Sequence, residues 1–434
     1  MNKKILKAGI SLGAILISAS SFADEAISSD ITPIQNMPVF TFSSFGTIGA
    51  VQTNTDNGIF TTGRQAEGAT KTADFAPDTK VGAQIDSKFN DFFSATLQVF
   101  SKENTVSSYE PGVEWAFAKL KIGGGFDLRL GRIGAPFFMA SDFRNVGYTN
   151  ISVRTPTDVY GLVPVRTFDG GDLLYNTNIG NTTINGQMWL GTSRALLGAS
   201  AAGDEYITLN NIAGLNISAE NGPLTVRAGT MKTRLSTSGS GLAPFNTLLS
   251  TLTKVSAYPG LGELATMSDD LAINGKFASF TDLGAVLDLS DWVLSGEYVQ
   301  RNSGSTYVAS ATAWYATLGY RISTFTPYVS FSNRKTNSTT SYAELSVAPA
   351  LGAKIAATVP VLVNGVNSAL TNSNESTSAL GVRWDAGKNY DIKAEFQQLR
   401  IPAGSAGIFS DVQGGFYSVD TRVNAVSLVV DFVY

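Results

Sequence analysis

The amino-acid sequence predicts an all-β fold, a 16-stranded antiparallel transmembrane β-barrel with short turns at one rim and long loops at the other. Three observations predict it. Side chains alternate between apolar and polar, charged residues make up only 15% of the chain against about 25% in soluble domains, and short and long connections alternate strictly. No apolar run after Ala23 approaches the roughly 20 residues of a membrane helix. The membrane face must therefore be spread over strands.

The first 23 residues are typical of an export signal. Lys3, Lys4 and Lys7 give a positive start, residues 8–20 form an apolar stretch too short to cross a bilayer, and Ser21-Phe22-Ala23 has small residues at the two cleavage positions. We expect residues 1–23 to be removed, 24–38 to form a short lead-in, and 39–434 to form the barrel.

The period of two is clearest in the hairpin that begins at Lys80. Its odd positions are mostly apolar and its even positions mostly polar, namely Val81, Ala83, Ile85 and Phe89 against Lys80, Gln84, Asp86 and Lys88. This alternation predicts a strand with one apolar and one polar face. Asn90-Asp91 then predicts a tight turn.

The strand count depends on one ambiguous segment, Leu271 to Leu289. Thr281-Asp282 could be a turn, but the apolar residues on both sides of it share odd numbering, so one continuous strand keeps them on one face. Sixteen strands result, an even number as bacterial barrels require. Seven connections are short turns, and the eight long ones are 54–78, 103–112, 133–170, 193–204, 235–270, 302–311, 335–376 and 401–421.

Composition excludes several classes of function. The chain has no histidine and no cysteine, which excludes Ser-His hydrolases, histidine metal sites and disulfides. After removal of the three lysines of the signal, the chain has 28 of its 31 basic residues and 35 acidic residues, which gives a net charge of −7. Nucleic acid is therefore not an expected partner. We expect no enzymatic activity, no cofactor and no metal.

The end of the chain has its own pattern. Apolar residues alternate up to a terminal aromatic, at Val426, Leu428, Val430, Phe432 and Tyr434. We interpret this segment as the last strand, with its aromatic at the membrane interface. Phe432 and Tyr434 are also the candidate assembly signal.

Several short stretches, taken in order, resemble the general porin superfamily of Gram-negative bacteria. They are Lys80-Val81-Gly82-Ala83, Glu114 to Lys121, Phe126 to Arg132, Gly319-Tyr320-Arg321 with Thr326-Pro327-Tyr328, and Val430 to Tyr434. The resemblance implies a homotrimer in the outer membrane, in contact with lipid and lipopolysaccharide, with short periplasmic turns and long external loops. It places the early strands at the subunit interface, where we expect Trp115 and Phe117 as bulky outward aromatics. It implies a water-filled channel for passive diffusion of small hydrophilic solutes.

In this family the third external loop folds into the barrel and forms a constriction, where acidic loop residues face basic wall residues. The corresponding loop is 133–170. The candidate constriction residues are Lys80, Glu114, Asp142, Asp158, Arg166 and Asp169. Lys80 occupies the position of a family arginine, whereas Glu114 reverses the charge of a second one. With a net charge of −7, this set predicts a weak preference for cations.

Two long loops contain apolar stretches, 242–267 and 343–370. Each predicts either a short helix folded onto its own strands or a lid over the pore mouth. Three other functions stay open at this point: a substrate-specific channel, a closed-lumen structural or adhesin barrel, and a soluble secreted binding protein.

Overall fold

The computed structural model describes residues 38–434 except 201, 202 and 371. The expected signal peptide, residues 1–23, lies outside the described residues, as does the lead-in 24–38 apart from Pro38.

Sixteen strands form one closed antiparallel barrel in which each strand pairs with its neighbours in sequence and β1 pairs with β16. The predicted fold is confirmed, including the continuous strand across Thr281-Asp282. The strands are β1 Val39–Thr53, β2 Lys80–Lys88, β3 Phe93–Lys102, β4 Gly112–Gly123, β5 Phe126–Gly134, β6 Thr167–Ile179, β7 Thr182–Ser200, β8 Gly203–Asn221, β9 Leu224–Ser238, β10 Asn274–Asp288, β11 Trp292–Ser303, β12 Ala311–Tyr320, β13 Phe325–Thr336, β14 Glu375–Trp384, β15 Tyr390–Ile401 and β16 Thr421–Val433.

The outside of the barrel is apolar, which is the reverse of a soluble protein. On β12, Trp314 and Leu318 are exposed, while Ala313 and Thr317, which precede them, point inward and are buried. Exposed aromatics gather at the rim of the short turns, at Trp292, Tyr320, Phe325, Trp384 and Tyr390. This girdle is typical of a transmembrane barrel at the lipid–water interface.

The last strand closes the barrel against the first. Val430 pairs with Ile48 across the seam, and the backbone groups of Tyr434 and Ser44 exchange two hydrogen bonds of 2.8 Å. The Phe432 ring lies over Gly46, where a β-carbon would have no room. The candidate assembly signal therefore also forms the closing contact of the sheet.

The loop at 193–204 is shorter than predicted, because β7 continues to Ser200 and β8 starts at Gly203. The β7–β8 hairpin extends further on the loop side than β6, since β6 begins only at Thr167 and its pairing with β7 ends at Thr192. The sequence signal was missed because β7 and β8 change register beyond Gly191, which breaks the alternation.

In the described part of the chain the long loops also carry four α-helices: α1 Thr157–Tyr160, α2 Ala243–Val255, α3 Glu263–Leu271 and α4 Gly352–Ala369. The segment Pro349–Ala369 is long and apolar enough to cross a membrane by length and composition, and 22% of its most apolar window is buried. The expectation that no such segment exists was wrong. Helix α4 packs on α2 and α3 instead, through Val359, Val363 and Val366.

Helices α2, α3 and α4 form a cap of their own rather than lying separately on their strands. The Phe245 ring of α2 lies 4.6 Å from the ring of Tyr307 in the sixth loop. The Tyr342 hydroxyl donates to Asp270 of α3 at 2.6 Å. The cap thus rests on the loop side of the barrel above β8 to β14.

Candidate pore and its constriction

The third loop, residues 135–166 between β5 and β6, folds into the lumen. Its first and last parts bury apolar side chains against the inward faces of β6 to β12. Phe137 packs edge-to-face on Trp189 and Phe280, with ring centroids 5.4 and 5.9 Å apart. Each such aromatic buries about 150–250 Å², so this half of the loop is held by a hydrophobic core inside the barrel.

The middle of the loop is held by buried charges. The Arg154 guanidinium donates to both carboxylate oxygens of Asp78, at 2.8 and 2.6 Å, to Gln397 at 2.9 Å and to Ser427 at 2.7 Å. Side-chain exposure is 7% for Arg154 and 5% for Asp78. A bidentate pair of this kind fixes both position and orientation.

Close to the loop tip, a lysine of the wall binds the loop backbone. Lys393 donates to the Gly147 carbonyl and to the Asp431 carboxylate, both at 2.8 Å. Thr47 of β1 donates to the other oxygen of Asp431. All three side chains are buried beneath the loop.

The loop tip reaches the rim of the short turns. The Tyr148 hydroxyl donates to the Lys388 carbonyl at 3.1 Å, within the turn between β14 and β15. Arg383 donates to the carbonyls of Tyr148 at 2.6 Å and Asn150 at 2.9 Å, and it stacks on the Tyr148 ring. The loop therefore runs down the whole depth of the lumen.

We call the inward face of β6 to β16, together with β1 at Thr47, the covered wall, because the third loop lies against it. The inward face of β2 to β5 is the uncovered wall. Along it Gln84, Asp86, Ser94 and Thr96 are only half-buried, whereas Ser427 and Lys393 of the covered wall are at most 1% exposed. A passage through the barrel therefore has to lie between the uncovered wall and the third loop.

Two of the candidate residues meet at this passage. Arg166 forms a salt bridge with Glu114 at 3.0 Å, and its guanidinium lies over the Phe100 ring. The Asn145 amide donates to the same carboxylate at 3.2 Å. Glu114 reaches this position from a bulge in β4, because Gln98 pairs with Trp115 and Val99 with Val113.

More basic side chains surround this pair. Lys102 and Arg144 interact electrostatically with both Arg166 and Glu114. Lys80 lies near Lys102 and is half-buried, as are Lys102 and Arg144. Lys102 was not among the constriction residues predicted from the sequence, although its even number places it on the inward face of β3. No pattern in the loop sequence could have identified Arg144.

Two other candidates lie away from the constriction. Asp158 is 1% exposed and accepts a hydrogen bond of 2.5 Å from Ser332 on the covered wall. Asp169 shares the outward face of β6 with Gly171, which pairs with the exposed Leu190. It forms a salt bridge of 2.7 Å with Arg132 there. Neither carboxylate faces the passage, because strand parity and loop packing direct them elsewhere.

Asp142 is the remaining acidic candidate, and it is exposed in the third loop. Within the described part of the chain it forms no salt bridge at 4 Å or less, and its electrostatic neighbours are Arg129, Arg227 and Asp172. Those residues lie on β5, β9 and β6. Among the described residues there is no cluster of three or more potential metal ligands.

No family model and no curated protein matches the sequence. The outer-membrane channel DcaP of Acinetobacter baumannii has a similar structure, with 11% identity, a TM-score of 0.51 and coverage of 94% of this chain and 100% of that one. OmpF of Salmonella typhi, in a complex with daunomycin, has 12% identity, a TM-score of 0.49 and the same coverage. The likeness to DcaP shows the fold alone. The chain has the barrel fold of an outer-membrane channel.

Proposed function

We propose that the chain forms a passive diffusion channel in the outer membrane of a Gram-negative bacterium and that small anions pass it more readily than cations. One observation carries the proposal. Lys80, Lys102, Arg144 and Arg166 lie together at the passage, and the carboxylates near them are already paired. Glu114 is paired with Arg166, and Asp78 and Asp431, which lie near Lys80, are paired with Arg154 and Lys393.

This proposal replaces the cation preference expected from net charge. That expectation counted Asp158 and Asp169 at the constriction, but Asp158 is buried against the covered wall and Asp169 pairs with Arg132 on the outside. Charges on the outer surface are screened over about 8 Å at physiological salt. The basic groups in a narrow passage with low-dielectric walls act more strongly on a permeating ion.

The test is the reversal potential of the purified protein in a planar bilayer with a potassium chloride gradient. We expect the sign of an anion-preferring channel. Lys102→Glu should shift the potential toward cations, whereas Lys335→Glu, at an exposed position on the outward face, should leave it unchanged. A cation-preferring wild type, or equal shifts in both variants, would contradict the proposal.

A closed-lumen barrel is the second candidate, and one observation favours it: the third loop reaches the rim of the short turns at Lys388. Bilayer conductance distinguishes the two functions. A diffusion channel gives stepwise ion conductance on insertion, while a closed structural barrel gives none. No chemistry is proposed for either, and neither requires a cofactor.

We also propose a homotrimer. Trp115 and Phe117 do not support it, because they pair with the inward Gln98 and Thr96. Support comes from Ala95, Ala116 and Ala118, whose small outward side chains on β3 and β4 would let two barrels approach closely. Unheated protein in mild detergent should run as a trimer, and Ala116→Trp should give monomers with an intact barrel. A monomeric wild type by light scattering would contradict this.

The terminal aromatics support a role in assembly. Phe432 covers Gly46 at the closing seam, while Tyr434 is 80% exposed and adds little packing. Deletion of Tyr434 should therefore lower the amount of folded protein in the membrane and leave export intact. Equal folded yield would mean that this end is an ordinary strand.

A further inference from the structure

A strained turn in the first loop lies above the constriction. Gly63 has φ +128°, and Arg64 follows with φ +56°, the left-handed region that a long side chain rarely adopts. The turn is held from both sides. The Thr62 amide donates to Gln65 at 2.9 Å, and the Gln65 side chain, 7% exposed, donates to the Ala76 carbonyl. Backbone strain that is held in place by surrounding contacts is often found where a side chain has to be oriented for function.

The turn directs Arg64 across the barrel mouth. Its guanidinium donates to the Leu196 carbonyl at 2.7 Å, on the part of β7 that rises beyond the last pair with β6 at Thr192. Lys102 donates to the Gly63 carbonyl at 3.3 Å. Among the described residues the Arg64 guanidinium donates one hydrogen bond, to Leu196, which leaves most of its five donors available.

Arg64 lies close to the basic constriction, since Lys102 binds the carbonyl of the preceding Gly63. The charged groups that act on Arg64 are Arg166 and Glu205 of β8. Glu205 accepts a hydrogen bond of 2.8 Å from Tyr307, and among the described residues Arg64 has no salt bridge. Burial and the neighbouring Arg166 lower the pKa of Arg64 to about 10, so the group keeps its charge at neutral pH.

We infer that Arg64 is an entry site for small oxyanions, such as sulfate or a short carboxylate, and that it determines how readily they enter from the loop side. The inference rests on the proposed anion channel. An incoming oxyanion would replace the Leu196 carbonyl as the partner of the guanidinium and would then pass to Arg166 below. The planar fork of arginine suits an oxyanion better than chloride.

The experiment measures block of chloride current by sulfate added to one side of an oriented single channel. In the wild type, sulfate added on the loop side should block more strongly than sulfate added on the other side. Arg64→Gln should lower the loop-side rate of block by roughly twofold to tenfold, as expected for removing one charge from the approach path, and should leave block from the other side unchanged. Arg64→Lys should restore part of the rate.

Two further variants make the result decisive. Arg194→Gln removes a cation of the same hairpin that stacks on Tyr206 on the outward face, and it should have no effect. Glu205→Gln removes the acidic charge facing Arg64 and should raise the loop-side rate, which tests the inference even if Arg64→Gln fails to insert. An anion-preferring wild type whose loop-side block is unchanged in Arg64→Gln, or in Glu205→Gln, overturns the inference. A cation-preferring wild type would instead overturn the proposed function.

Discussion

The two walls of the lumen differ in how their charges are used. Where the third loop meets the covered wall, Arg154 of the loop and Lys393 and Asp431 of the wall are buried, and each is paired with an opposite charge. On the uncovered wall, Lys80 and Lys102 are half-buried and face the passage. The same residue types therefore hold the loop on one side and, under the proposed function, would act on permeating ions on the other. The proposal thus assigns the ion preference to charge placement rather than to net charge.

The largest effect on stability should come from removing the buried charge that joins the third loop to the covered wall. Arg154→Met leaves Asp78 and Glu395 buried without their cation, since Arg154 lies 2.6 and 3.6 Å from them. Removing one partner of a buried ion pair costs about 3–5 kcal/mol. We expect that loss in the free energy of unfolding, measured by urea titration in detergent.

The matched control is an exposed pair. Lys71 and Asp56 lie 3.2 Å apart with side-chain exposures of 62% and 57%, so Lys71→Met should change the free energy of unfolding by no more than about 1 kcal/mol. If Arg154→Met is equally mild, the charges of the covered wall do not hold the loop.

A smaller effect should come from the uncovered wall. Glu114→Gln removes the carboxylate partner of Arg166 and leaves the surrounding cations in place. Because the local charge becomes more positive, the reversal potential should move further toward anions. Gln84→Glu adds a carboxylate to the same wall and should move the potential in the opposite direction. Shifts of the same sign in both would contradict the assignment of this wall to the ion path.

The smallest effect concerns the loop tip. Tyr148→Phe removes the hydrogen bond to the Lys388 carbonyl, a loss of about 1 kcal/mol. The tip keeps its hydrogen bonds from Arg383, so the conductance should stay the same. The open-channel current noise should rise, because the tip is held less tightly. Tyr390→Phe, on the outward face of the same rim, should leave the noise unchanged. Equal noise in both variants would mean that the tip does not border the passage.

The sequence predicted the barrel well and the constriction only in part. Strand parity placed Lys80 inward correctly, because a period of two translates directly into a face of the sheet. It failed at Trp115 and Phe117, which point inward because a bulge shifts the register of β4. Loop residues have no such period. The burial of Asp158 and the anchoring by Arg154 depend on long-range packing, which no local pattern encodes.

Thiol accessibility tests the division into two walls most directly. The chain has no cysteine, so Ser94→Cys on β3 and Ser330→Cys on β13 each provide one thiol in a closely similar side chain. Ser94 is half-buried on the uncovered wall, while Ser330 is 7% exposed beneath the loop. A small anionic thiol reagent should label Ser94→Cys in the folded channel and lower its conductance. Ser330→Cys should be labelled only after unfolding. Equal labelling of both folded variants, or faster labelling of Ser330→Cys, would contradict the division.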